Sequence, residues 1–370
     1  MLTSPFCAVD TPSLLLDLDI IRANLQEMQD KADTFKVSLR PHTKTHKIPE
    51  LAIMQIQTGA RGITVAKLAE AEVMAEGGVD DIFIANQVVG ASKLSRLRKL
   101  TESCHVLVGI DNREQVEALD AAFCGSGRTL PVLIEVEVGE NRCGVSSMEQ
   151  LLALAGIVAT ADNLHLQGIF CHEGHTYGSA DEGALVDEAI AAQQKMLEFA
   201  AGLRESGYEC ETVSVGSTPS LLLADILPGI TEIRPGTYIF RDVGQAGVTR
   251  TFSRCAATVL ATVISRPTPE RVVIDAGAKA LTMQKRQGGV CNTDGLGALK
   301  TAPEIRLSRV FDEHGIFLSQ ALRSALSVGD KVEIIPNHIC PVVNLYDKAV
   351  VVSGGQVSGY WSIAGRGKIT

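Results

Sequence analysis

Between residues 37 and 234 the chain holds eight short β-type runs, most of them separated by a stretch of helical spacing. The runs are Val37–Arg40, Gly62–Val65, Asp81–Ala85, His105–Ile110, Pro131–Val138, Leu164–His172, Glu211–Val215 and Thr231–Arg234. Segments between them, such as "KLAEAEVMAEGG" after Val65 and "NREQVEALDAAF" after Asp111, recur in apolar residues at helical spacing, and several close on glycine. Asp111 and Asn112 stand where a helix would start. Strands that alternate with helices form a parallel sheet buried on both faces. Eight of them predict an α/β fold, a (β/α)8 TIM-type barrel over residues 11–248, with an open doubly wound sheet as the competing arrangement. The earlier run "SLLLDLD" (Ser13–Asp19) falls outside the count and reads as a lead-in from another domain.

Past residue 250 helical spacing fades. "RCAATVLATVISR", "RVVIDAGAKAL", "EIRLSRVFDEHGIFL", "DKVEIIPNHIC" and "KAVVVSGGQVSGYWSIAG" are β-rich and joined by Gly, Asp and Pro turns. They predict a C-terminal antiparallel β domain over 249–370, joined by residues 1–10. The stretch from Ala278 to Ala302, with "KRQGGVCNTDGLG", reads as a long loop of the kind that often carries function. A net charge of −9 argues against a nucleic-acid partner, and no run of apolar residues is long enough for a membrane span. Nine scattered cysteines without a CxxC pair, and an N-terminus without a secretory pattern, predict a reduced, cytoplasmic protein.

Barrel active sites lie at the C-terminal ends of the strands. "SLRPHTKTHKIPE" (Ser38–Glu50) crowds Arg40, His42, Lys44, His46 and Lys47 after the first barrel strand. It is either a solvated basic loop or the setting of a reactive lysine, whose amine neighbouring cations and partial desolvation would make available toward a carbonyl. If that carbonyl belongs to pyridoxal phosphate, a phosphate site should accompany it. "SVGSTPS" after the seventh run offers Gly216 for close approach and Thr218 as a helix cap before Pro219. "RPGTY" after the eighth offers Gly236 and Thr237. "VGENRCG" places Arg142 where it could hold a phenolate or carboxylate, or simply pair with Glu140. "CHEGHTYG" supplies His172, Glu173, His175 and Tyr177, open to structural or chemical roles. In "IIPNHICP", residues i and i+2 of an extended segment share a face, so His338 and Cys340 would converge as a zinc-type ligand pair.

"PHTKTHK", "ENRCG", "GSTPS", "RPGTY" and "PNHIC", in that order, resemble the fold-type III pyridoxal-phosphate enzymes of the D-serine dehydratase and D-threonine aldolase group. The resemblance runs from about Thr11 to Gly365 and implies an alanine racemase-like barrel with a C-terminal β domain. It implies that Lys44 carries pyridoxal 5'-phosphate as a Schiff base, that Arg142 contacts its phenolic oxygen, and that His172 faces its pyridine ring. Gly216, Ser217, Thr218, Gly236 and Thr237 would hold the phosphate, Tyr177 would join the cofactor site, and His338 and Cys340 would hold a divalent metal, zinc first, manganese or magnesium otherwise. "CHEGHTYG" departs from the tyrosine-led form associated with aldolases.

Dehydratase members tend to carry H-x-C and many aldolases H-x-D, which implies β-elimination from a D-3-hydroxy amino acid such as D-serine. The alternative on the same site is aldolase cleavage to glycine and an aldehyde, with help from His175. A racemase would need an acid such as Tyr346 or Tyr360, and a non-catalytic cofactor carrier would lack the β domain. A homodimer is implied as well.

Overall fold

The computed structural model describes residues 6–370; the expected placement of residues 1–5 with the β domain lies outside the described residues. The chain divides into two compact units. One comprises residues 28–44, 48–236 and 367–370; the other comprises residues up to 27, 45–47 and 237–366.

The first unit is an eight-stranded parallel sheet. Its strands are β2 (Ser38–Leu39), β3 (Ile63–Val65), β4 (Asp81–Ile84), β5 (His105–Ile110), β6 (Leu130–Glu135), β7 (Leu164–Phe170), β8 (Thr212–Val215) and β9 (Glu232–Ile233), each within or beside an expected run. The order β2-β9-β8-β7-β6-β5-β4-β3 is closed by a parallel bridge between His42 and Thr64, so the sheet is the expected TIM-type barrel. Thr64 seals the seam, donating its N–H to Pro41 O at 2.8 Å and its hydroxyl to Arg40 O at 2.9 Å, while its carbonyl accepts from Thr43 Oγ1 at 3.2 Å.

The helices form where the sequence caps them. Asn112 accepts from Gln115 N at 3.0 Å and starts the helix Arg113–Phe123, which buries Val116, Leu119 and Phe123. Ser147 and Asp181 likewise cap Met148–Ala159 and Glu182–Glu205. Phe83 of β4, Leu107 of β5, Leu133 of β6 and Phe170 of β7 form one apolar cluster, with the two phenyl rings edge to face at 5.0 Å. Gly109 is required beside them, since a Cβ there would lie 2.8 Å from the Phe170 ring.

The second unit is a nine-stranded, mainly antiparallel sheet. It contains β1 (Ser13–Asp17), β10 (Ala257–Ser265), β11 (Arg271–Ile274), β12 (Ala298–Leu299), β13 (Ala302–Val310), β14 (Gly315–Leu318), β15 (Lys331–Ile335), β16 (Lys348–Ser353) and β17 (Gln356–Ser362). The expected boundary at residues 10 and 11 requires correction. β1 is an interior strand here, antiparallel to β10 and parallel to β16, with Leu14 and Leu16 fully buried. Residues 237–248 also cluster with this unit and not with the barrel. Among the described residues, no helix is long and apolar enough to cross a membrane, and all nine cysteines are free.

Candidate active site

Within the barrel, Lys44 lies in the 3-10 turn Thr43–Thr45 that follows β2, at the C-terminal end of the strand. His42 folds back under it, its Nδ1 accepting from Lys44 N at 3.4 Å. His172, just after β7, donates from Nδ1 to Gly216 O at 3.1 Å. Both imidazoles are held well below the ordinary histidine value, first by burial and next by the Lys44 ammonium; Arg234 adds to the effect on His42 and Arg142 to that on His172. Lys44 is therefore flanked by two neutral rings, which pack and hydrogen-bond without adding charge.

The turn after β8 is built around Gly216. Its φ of +148° is strained for other residues, and a Cβ would sit 2.9 Å from Arg234 N. The helix Thr218–Leu223 is capped by Ser217, not by the expected Thr218, because Ser217 is the extended residue and Thr218 already has helical geometry. Ser217 Oγ also meets Ser220 Oγ at 2.8 Å and Thr176 Oγ1 at 3.1 Å. Ser220 donates to the buried Glu173, whose other oxygen Oε1 has no partner among the described residues. Burial pushes the Glu173 carboxyl up to about 7, so it is partly neutral at physiological pH. Gly216 and the buried Ser217 and Thr218 hydroxyls beside a carboxyl able to shed its charge fit a phosphate group.

Arg142 reaches Glu135 Oε1 at 3.3 Å and Glu140 Oε2 at 3.5 Å, so the pairing with Glu140 is present. Asp111, Glu135 and Cys143 bring ligand-type atoms within 4.8 Å of one another. Glu135 is already bonded by Gln87 at 2.7 Å and by Arg142, and Asp111 accepts from Gly144 N at 3.2 Å. His175 and Tyr177 lie in the 3-10 turn Gly174–Gly178, with the His175 ring against Gly139 and its Nδ1 buried without a partner among the described residues.

Of the basic cluster, only His42 and Lys44 belong to this setting. Arg40 is 1% exposed and turns to the N-terminal ends of β4 and β9, bonding Asp81 at 2.6 Å and Glu232 at 2.7 Å. His46 and Lys47 belong to the other unit. His46 is fully buried with its ring edge-on to Phe240, and Lys47 Nζ donates to Asn344 Oδ1 at 3.1 Å. The expectation that the cations gather around one reactive amine is corrected: most are structural, each with a partner far away in sequence.

Arg234 is a residue of this setting that the sequence does not mark as one. Its buried guanidinium bonds Ser214 Oγ and Cys171 O and lies 5.2 Å from the Phe170 ring centre and 5.7 Å from that of Phe83. The only signal in the sequence is the placing of Glu232 and Arg234 two residues apart, on either side of Ile233.

In the β unit, the expected extended geometry of "NHIC" is not found. His338 is extended, at φ −140° and ψ 110°, but it caps a helical turn over Ile339–Val343 that contains Cys340. The turn forms because Asp242 Oδ2 accepts from Ile339 N at 3.0 Å. The shared-face argument for His338 and Cys340 therefore does not apply. Cys340 Sγ donates to Thr45 Oγ1 at 3.3 Å and lies 3.6 Å from Thr237 Oγ1. Thr237, expected beside Gly236 at a phosphate, is thus found at this sulfur. His338 Nδ1 lies 3.0 Å from Gln284 Oε1. An imidazole and a cysteine sulfur are donor types suited to zinc. Tyr346 is no free acid, because burial raises its phenol and its hydroxyl donates to Ala280 O at 2.9 Å, while Tyr360 is exposed.

Residues 16–243 match the alanine racemase N-terminal domain family, and residues 256–352 match a putative serine dehydratase domain. The chain belongs to the fold-type III pyridoxal-phosphate lyases of the D-serine dehydratase and D-threonine aldolase group. It is 37% identical to a D-threonine aldolase from Arthrobacter sp., over 98% of this chain and 94% of that protein. The crystal structure of D-threonine aldolase from Filomicrobium marinum superposes with a TM-score of 0.89 at 35% identity, covering 98% of this chain and 97% of that one. D-threo-3-hydroxyaspartate dehydratase from Delftia sp. gives a TM-score of 0.89 at 30% identity, covering 96% and 98%. A D-threo-3-hydroxyaspartate dehydratase has also been solved as a histidine-to-alanine mutant and, two positions on, as a cysteine-to-alanine mutant in the metal-free form. This lyase group thus contains both carbon–carbon cleavage and dehydration.

Proposed function

We propose that this lyase acts on a D-3-hydroxy amino acid by eliminating the β-hydroxyl, in the manner of a D-serine dehydratase, using pyridoxal phosphate on Lys44 and a divalent metal on His338 and Cys340. The observation that carries the proposal is the setting of Lys44, an amine at the end of β2 flanked by two imidazoles kept neutral. When bound, the cofactor supplies an electron sink for charge at the substrate α-carbon, and the metal supplies a Lewis acid for the β-hydroxyl. Gly216, Ser217 and Thr218, with Gly236, would hold the phosphate, and Arg142 the phenolic oxygen. His172, fixed on Gly216 O, would face the ring, and Tyr177 would line the cofactor site. Lys44 would take the α-proton from the substrate and return it to the leaving side of the reaction.

His338 and Cys340 repeat the two-residue spacing of the histidine and cysteine mutated in a D-threo-3-hydroxyaspartate dehydratase, which supports elimination. The imidazole and thiolate pair favours zinc over manganese or magnesium. A second reading, retro-aldol cleavage to glycine and an aldehyde, is favoured by the 37% identity to a D-threonine aldolase. His175 would then accept the proton of the β-hydroxyl. We take the protein to act in the cytoplasm as a homodimer, as the family implies.

The test is incubation with D-serine and D-threonine, with and without complete chelation, assaying pyruvate, glycine and ammonia. Pyruvate from D-serine that vanishes on chelation and returns with zinc is expected. Glycine from D-threonine without keto acid would establish the second reading. Undiminished turnover after the metal is gone would overturn both.

A further inference from the structure

The long loop after Leu281 stands out in the sequence, and the proposed reaction gives it no task. The structure shows it tied down at several points. Arg286 and Thr293 close it on itself, through Arg286 N to Thr293 Oγ1 at 2.9 Å and Thr293 N to Arg286 O at 3.0 Å. Asn337, 4% exposed, then clamps both arms with one amide, donating from Nδ2 to Gln284 O at 3.0 Å and to Gly295 O at 3.1 Å. Asn337 immediately precedes His338. Gln284 is therefore fixed through its main chain by the neighbour of the residue its side chain meets.

That side chain places Oε1 at 3.0 Å from His338 Nδ1. A carboxamide oxygen only accepts, so the proton of the neutral ring sits on Nδ1 and the lone pair on Nε2. A metal binds the nitrogen that carries the lone pair, and the partner of the other nitrogen decides which one that is.

We infer that Gln284 is a positioning residue for the metal, fixing His338 in the tautomer and orientation in which Nε2 is the ligand, with Asn337 holding Gln284 in place. This rests on the proposed metal pair His338 and Cys340, and the experiment below separates the two. Gln284 is exposed, so its replacement leaves the core of the β unit untouched.

Gln284→Met keeps the length of the side chain and removes the acceptor, whereas Gln284→Glu keeps an acceptor oxygen. The cofactor-loaded protein, dialysed free of metal, is titrated with zinc against a chromogenic chelator, a readout independent of turnover. Losing such an outer partner weakens metal binding about 10–100-fold, so Gln284→Met is expected to raise the zinc Kd by that factor while Gln284→Glu stays within about 3-fold of the wild type. The visible absorbance of the lysine-bound cofactor should be unchanged in both. A Kd for Gln284→Met within about twofold of the wild type, or Gln284→Glu as weak as Gln284→Met, would overturn the assignment. His338→Ala distinguishes the two levels. If it binds zinc like the wild type, the metal pair itself is wrong and the role of Gln284 falls with it. If it loses zinc and Gln284→Met does not, only the role of Gln284 falls.

Discussion

Replacing Arg40 by Met should destabilise the barrel severely while leaving the chemistry at Lys44 in place. The Arg40 side chain is 1% exposed, and that of Glu232 is 5% exposed. Arg40 Nε bonds Glu232 Oε2 at 2.7 Å, and its two terminal nitrogens bond the Asp81 oxygens at 2.6 and 3.3 Å. Without the guanidinium, Glu232 still accepts from the Ser214 hydroxyl at 2.6 Å. Removing one member of a buried ion pair costs about 3–5 kcal/mol because the other charge stays buried without its counter-charge. The Asp81 share is smaller, since its side chain is 20% exposed and also lies near Arg61 and His105. With a urea dependence of about 3 kcal/mol per M, the unfolding midpoint should fall by about 1 M or slightly more. The double mutant Arg40→Met/Glu232→Gln removes the stranded charge and should recover at least about half of that loss. The folded single mutant should still bind pyridoxal phosphate at Lys44, as seen by its visible absorbance. A midpoint shift under about 0.3 M, or no recovery in the double mutant, would refute the buried-pair account. Loss of cofactor from a folded single mutant would return Arg40 to the ligand site.

Gly216→Ala should weaken cofactor binding without unfolding the protein, measured as a raised pyridoxal phosphate Kd, because φ +148° is unfavourable to alanine and its Cβ would press on Arg234 N. Wild-type affinity in that mutant would exclude the turn from the phosphate site. Glu173, pushed up to about 7 from 4.5, keeps a proton when folded that the unfolded chain has released. Its contribution to stability is therefore fully present below about pH 4.5 and lost as pH rises to about 7, a swing of about 3 kcal/mol. In cofactor-free protein, the stability difference between Glu173→Gln and wild type should grow over that window in favour of the mutant; a constant difference would contradict it. His42 and His172 act in the opposite sense. Their depressed values mean that stability is lost as pH falls below about 6.5, the ordinary histidine value, and a His172→Gln mutant should soften that acid limb of the urea midpoint.

The barrel was legible in the sequence because its signals are local. Each strand run and each cap, such as Asn112, announces itself within a few residues, and parallel order then follows from the alternation. What the sequence hid depends on partners far along the chain. β1 can be set apart from the barrel in the sequence, but its pairing with Thr258 and Val350 inside the β sheet cannot be read there, and Arg40 looks like a mouth cation until Glu232 reaches it. "NHIC" reads as extended because nothing nearby shows that Asp242 will start a helical turn at Ile339. Thr45 and Thr237 carry no mark that they meet at one sulfur. The direction in which each of these side chains points could not be read.

The most direct measurement is reduction of the purified, coloured protein with borohydride, followed by proteolysis and mass mapping of the phosphopyridoxyl group. The label should appear on Lys44 alone. Its appearance on Lys47 or any other lysine, or its absence from a fully folded sample supplied with pyridoxal phosphate, would contradict the account.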